Sequence, residues 1–266
     1  MWTFLFYVGV SFCGSAIGGS FALGTVLITT PLLGLISVGT LDFKQIGLLN
    51  LILVLSGTFA SAITHHRNGY VDRSLLMRLA PIVAVGSLGG GILAHSVSDD
   101  VLRWTFAGVA VTSLLLGLLP GGGALAMSAA HALRSPAVAE HGEGRWYGLL
   151  AFCSGTSFVS GLVGIGGGLI MTPFLLKLAQ FPTKTVIGTM TSVGVVTTVC
   201  ALAGRVGTSP FPPWPSIAGV VIGAVLGGVV GARIGHVLPA KTLAPVLSIT
   251  IVLSASEIIR QTFSNS

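Results

Sequence analysis

Gly161, Gly164, Gly166, Gly167 and Gly168 crowd into the stretch SGLVGIGGGLIMTP, residues 160–173, inside one of the most apolar regions of the chain. In a helix interior each glycine costs roughly 1 kcal/mol relative to alanine. Pro173 then removes a backbone donor and breaks the i to i−4 ladder. A backbone interrupted in this way exposes N–H groups. At the N-terminus of a half-helix, together with the positive end of the macrodipole, such groups bind negative oxygens without a buried arginine. The chemistry that fits is recognition of a small oxyanion. In a bilayer, broken backbone is tolerated only where it is buried in protein or lines a cavity.

A second polar set lies in IGTMTS, residues 187–192, where Thr189 and Ser192 share a helical face and Thr191 stands beside them. Asn50 sits deep in another apolar segment, where its amide needs a partner, either a neighbouring helix or a substrate oxygen. His65 and His66 precede Arg67 at the edge of a span and read as solvated loop residues. No Asp or Glu falls at the centre of a span, Glu257 near the end of the last being the nearest, so a carboxylate for proton or sodium coupling is not visible. The sequence contains no metal-ligand cluster, Walker A motif or nucleophile elbow, so neither catalysis nor a metal or other cofactor is expected. Cys13, Cys153 and Cys200 lie in apolar stretches without C-x-x-C spacing and read as packed free thiols.

The elements that must position these residues follow from composition. Of the 266 residues, 52% are hydrophobic and 8% charged, against about 25% charged in a soluble domain. The chain is therefore an integral membrane protein. Its net charge of +6 is scattered between apolar spans and reports orientation in the bilayer, not nucleic-acid binding. Six segments have the length of a single crossing: roughly 46–64, 80–97, 101–119, 185–203, 216–236 and 242–259. Residues 2–39 and 147–177 are too long for one straight helix, and each carries mid-segment glycines and a later proline, Pro31 or Pro173. Each reads as a broken helix or a hairpin, with those prolines marking the break.

The two long segments resemble each other. A shift of 142 residues sets GSFALGTVLITTPLL (19–33) over GLVGIGGGLIMTPFL (161–175) with seven of fifteen positions identical, including Gly19/Gly161, Gly24/Gly166 and Pro31/Pro173. With one residue of slippage Ile46-Gly47 matches Ile187-Gly188 and Asn50 falls opposite Thr191, while further on Gly86, Gly90 and Gly91 fall on Gly223, Gly227 and Gly228. Gly219, Gly223, Gly227, Gly231 and Gly235 recur every four residues, the pattern of close helix packing.

Flanking charge reverses between the copies. The loop HHRNGYVDRSLLMR holds Arg67, Arg73 and Arg78, whereas its counterpart GRVGTSPFPPWP holds only Arg205. The neighbouring loops net −1 in the first half and +4 in the second. Because basic loops face the cytoplasm, the halves read as inverted, each a broken, re-entrant hairpin plus three transmembrane helices. The division is 1–119, a cytoplasmic central loop 120–145, and 146–266. Both termini then lie outside, with nine of thirteen Lys/Arg inside and Arg205 in an outer loop. Inverted repeats with broken helices bring the breaks together near the midplane and build substrate sites there. The expected site comprises Gly19, Gly24, Asn50, Gly164, Gly166, Gly167, Gly168, Thr189, Thr191 and Ser192.

At GLVGIGGGLIMTPFLL, its degenerate copy GGSFALGTVLITTPLL and the HHRNGYVDRSLL loop, the chain resembles the sulfite exporter (TauE/SafE-like) family of membrane transporters. The first copy departs from the pattern, with Thr25 and Val26 in place of the glycines at 167 and 168, so the halves are expected to contribute unequally. The resemblance covers nearly the whole chain. It implies transport of small sulfur-containing anions, such as sulfite or sulfonates, usually outward across a bacterial inner membrane, and the repeats themselves lead to the expectation of alternating access. The partners it implies are the anion and the lipid bilayer. A passive anion channel and a carrier of small carboxylates remain open on the residues alone, an intramembrane hydrolase distantly so. Nothing in the pattern sets an oligomeric state.

Overall fold

The computed structural model describes residues 2–21, 25–36, 41–118, 143–166, 171–172, 183–206 and 211–237. Among them every regular element is helical, and no strand occurs. The helices are α1 (Trp2–Phe21), α2 (Thr25–Ile36), α3 (Phe43–Arg67), α4 (Arg73–Leu93), α5 (Asp99–Leu118), α6 (Glu143–Val163), α7 (Thr183–Arg205) and α8 (Trp214–Val237). Five of them, α1, α3, α4, α7 and α8, are long and apolar enough to cross a bilayer. The protein is an all-helical, multi-pass membrane protein. The expected span at 242–259 lies outside the described residues, as does the central loop except for its last three residues, which open α6.

Helix ends follow local chemistry. At the start of α3, the Gln45 side chain accepts from the Asp42 backbone N–H at 3.0 Å. Asp72 begins α4, its Oδ1 accepting from Ser74 N at 2.9 Å and Leu75 N at 3.1 Å. An aspartate at this position satisfies donors that the helix leaves orphaned. This cap moves α4 to 73–93, several residues ahead of the span expected at 80–97, and leaves Pro81 inside the helix. Pro31 likewise lies inside α2 and does not mark its end. The long first segment does divide into two helices, but α1 already ends at Phe21.

Close contacts fix the relative directions of the helices. Along the α1–α8 contact Gly223 meets Val8 and Phe12, Gly227 meets Phe12, Gly231 meets Ala16, and Gly235 meets Ser20, so these two run the same way. α4 and α6 are parallel too, with Gly86 on Ser154 and Gly90 on Phe158. In the α3–α8 pair Gly57 faces Ala224, and Ser61 Oγ donates to the Gly228 carbonyl at 2.9 Å. Asp72, at the head of α4, donates its N–H to Thr189 Oγ1 at 2.9 Å, whereas Gly204 near the end of α7 lies on Leu88 and Ile92, so α4 and α7 are also parallel. α3 and α7 oppose each other: Gly47 lies by Arg205 and Thr58 by Gly194. Hence α1, α3 and α8 run one way, and α4, α6 and α7 the other.

The same contacts correct the glycine alignment. Ser154 and Phe158 stand 142 residues after Phe12 and Ala16, so Gly86 and Gly90 occupy the register of Gly227 and Gly231, one turn beyond the sequence match. The interior divides into two apolar clusters. One includes Leu49, Leu53, Phe106, Val220 and Ala224, and the other gathers Leu79, Val83, Val186 and Val193 between α4 and α7. Large apolar side chains such as Met77, Val85 and Ile92 are exposed, as a lipid-facing perimeter requires.

Candidate functional site

The glycine motif first ends a helix. The Ser160 carbonyl accepts from both Gly164 N (2.8 Å) and Ile165 N (3.1 Å), closing α6. Gly164 and Gly166 have φ of 85° and 76°, the left-handed region that L side chains enter only at a cost. Space makes the same demand: a Cβ at Gly164 would stand 2.6 Å from the Gly47 carbonyl oxygen, and one at Gly166 2.6 Å from Val54 Cγ1. The chain therefore leaves α6 pressed against α3, passing from the level of Gly47 towards that of Val54. The half-helix N-terminus expected to bind the anion would follow Gly166, at residues 167–170, outside the described ones. Gly164 stands at the C-terminus of α6, where the macrodipole presents its negative end.

Arg205, the last residue of α7, meets that negative end. Its side chain is 1% exposed, its Nη2 donates to the Leu162 carbonyl, and a Cβ at Gly47 would lie 2.6 Å from Nη1. Sequence reading placed this residue in an outer loop; it is buried between α3 and α6 instead. Its charge was visible in the sequence, but its depth was not, because it terminates an otherwise apolar span.

Asn50 lies between Gly47 and Val54 on the same α3 face. It is bonded to α2: Nδ2 donates to Thr30 Oγ1 at 2.8 Å and Oδ1 accepts from Thr29 Oγ1 at 3.1 Å. The first-half hairpin and the second-half glycine turn thus converge on the N-terminal third of α3. Gly164, Gly166 and Asn50 are brought together there, joined by Arg205, Thr29 and Thr30.

The remaining predicted residues lie elsewhere. Thr189 accepts the Asp72 N–H, while Thr191 and Ser192 donate to their own helix at Ile187 (2.7 Å) and Gly188 (3.0 Å). Thr58 and Gly194 mark the α3–α7 crossing. At 1.5 Å per residue Asn50 lies about 12 Å to one side of it and Thr191 about 4–5 Å to the other. Gly19 packs inside α1 against Ser61 and Gly228, and its carbonyl oxygen is 3.4 Å from His65 Nε2. His65 is itself buried, contrary to the solvated loop residue expected. The described end of α1 is therefore level with the far part of α3, roughly 20 Å along that helix from Gly47. Gly24, Gly167, Gly168 and Pro173 lie outside the described residues.

Four hydroxyls escaped sequence reading. Ser11 and Ser15 on α1, and Ser157 and Ser160 on α6, are buried without a hydrogen-bond partner among the described residues. Ser15 and Ser157 stand 142 residues apart, so the repeat shift that paired the glycines pairs these serines as well.

Comparison with known families decides the class. A family model described as sulfite exporter TauE/SafE matches residues 7–258. The chain belongs to the TauE/SafE family. That match spans both glycine motifs, Arg205 and the central segment, and the TauE/SafE family is one of transporters, not enzymes. No curated protein and no solved structure gives a significant match. As a TauE/SafE member the protein is a membrane exporter of the sulfite and sulfur-anion class.

Proposed function

We propose that the transported species is sulfite or a small sulfonate, and that it is bound at the N-terminal third of α3. The observation that carries this reading is Arg205. The end of α6 contributes roughly half a negative charge and the guanidinium a full positive one. The guanidinium is the larger of these two charges, in a place where burial strengthens its field. An ionisable residue buried within a membrane bundle marks a substrate pathway as its default reading. Asn50, Thr29 and Thr30 supply polar groups beside it, and the Gly164–Gly166 turn supplies main chain without side chains in the way.

In this reading the halves, 1–119 and 146–266, are inverted repeats that rock against each other and open the site alternately to either side. Support comes from helix direction: α1 and α6, α3 and α7, and α4 and α8 are counterparts under the repeat, and each pair runs in opposite senses. The packing is exchanged in the same way, α8 lying on α1 and α3 while α4 lies on α6 and α7. In this reading the membrane is a bacterial inner membrane, and the absence of a carboxylate at the centre of any span supports export down the gradient.

A thermal-shift screen of the purified protein against sulfite, sulfonates, thiosulfate, sulfate and small carboxylates tests the substrate. A ligand that binds only the folded state adds about 2.7 kcal/mol at a hundredfold excess over its Kd. Sulfite or a sulfonate should raise the Tm by several degrees. A shift with carboxylates alone, or with no anion, would contradict the assignment.

A further inference from the structure

Away from the proposed site, α3, α7 and α8 enclose an open groove of about 780 Å³. One wall is a single stripe of α3, running Leu55, Phe59, Ile63 and Arg67, and the other follows α8 through Val225 and Val229 to Arg233. Because α3 and α8 run the same way, the two arginines arrive at the same end. The α3 stripe extends about 18 Å at 1.5 Å per residue, slightly more than half of a hydrocarbon core about 30 Å thick. The groove therefore has the length of one leaflet.

Its surface suits a chain and not a small solute. Phe59 and Val225 are exposed, and the hydroxyls of Ser56 and Thr64 donate to their own helix at Ile52 and Ala60. Sulfite would find nothing to bind along such a wall. The end is different: Arg67 and Arg233 are exposed, and neither guanidinium forms an ion pair or hydrogen bond with a described residue. Two cations at the head of a leaflet-long apolar trough complement an amphiphile with an anionic head and a hydrocarbon tail. Basic pockets between transmembrane helices bind anionic headgroups on this principle.

We infer that this groove binds a membrane phospholipid with an anionic headgroup, its phosphate held by Arg67 and Arg233 and one acyl chain lying along α3. The site is independent of the substrate site, because neither arginine nor any residue lining the groove belongs to the cluster around Arg205.

Native mass spectrometry of the full-length protein, with phosphatidylglycerol or zwitterionic phosphatidylcholine added, tests it. Phosphatidylglycerol should be retained preferentially. R67Q/R233Q should lower that retention about thirtyfold, taking near 1 kcal/mol for each basic residue at the membrane surface, and each single variant should give a loss of about fivefold. Val225→Trp, which fills the trough and leaves both cations, should also release the lipid, and phosphatidylcholine adducts should not respond to the arginine changes. Equal retention of the two lipids would overturn the proposal, as would wild-type retention by the double variant or by Val225→Trp. Dimers that dissociate in the variants would also overturn it, by assigning the groove to a second copy of the chain.

Discussion

Two segments that carry the related glycine motifs are secured against α3 by different means. In the first half Asn50 ties α3 to α2 through Thr29 and Thr30, a side-chain link between two helices. In the second half the residue opposite Asn50 is Thr191, whose hydroxyl bonds its own helix at Ile187. The second turn is held instead by two left-handed glycines pressed on α3 and a buried arginine on the Leu162 carbonyl of α6. A side-chain clasp tolerates substitution better than a turn whose φ and van der Waals space are both used up. The second copy is thus the constrained one, which accounts for its sharper motif, and the first is free to carry Thr25 and Val26 inside a continuous α2.

Substitutions that exploit this asymmetry fall in a definite order. Gly166→Leu should have the largest effect, combining about 1–3 kcal/mol of backbone strain with a similar cost for overpacking Val54. Anion flux should fall to background while membrane insertion persists, as read by flux and surface labelling together. Arg205→Met comes next: it strips the cation from the α6 end, and flux should drop at least about tenfold, the equivalent of roughly 1.4 kcal/mol, with partial recovery in Arg205→Lys. Asn50→Leu should cost less, about 0.6 kcal/mol and at most near 1.7, the range measured for hydrogen bonds between helices in membranes; a small fall in Tm would record it. Thr191→Val should be the mildest, within about 0.5 kcal/mol. A tenfold loss of flux in Thr191→Val at unchanged Tm would erase the asymmetry by placing both repeats in the site.

Much of the helical layout was legible because apolar spans are long and charge is scarce. The helices α3, α5, α7 and α8 fall within three residues of their expected bounds. The displaced one, α4, is set by the Asp72 cap, a local hydrogen bond that hydropathy does not register. The interruption at Gly164 was legible too, because a glycine cluster announces that a helix stops, and α6 closes there. Depth was the hidden quantity. Arg205 and His65 stand at the ends of apolar runs, where a charge count puts them in water, yet both are enclosed by neighbouring helices. Relative height also escaped the linear pattern, so residues expected to share one midplane site are spread along the α3–α7 crossing. Ser15 and Ser157 were within reach, since they obey the same 142-residue shift as the glycines.

Sulfite counterflow in proteoliposomes, compared between the wild-type protein and Arg205→Met, tests the buried-cation site most directly. Saturable counterflow is predicted for the wild type, with its loss in an Arg205→Met protein that still inserts and remains monodisperse. Wild-type counterflow in Arg205→Met would contradict the account.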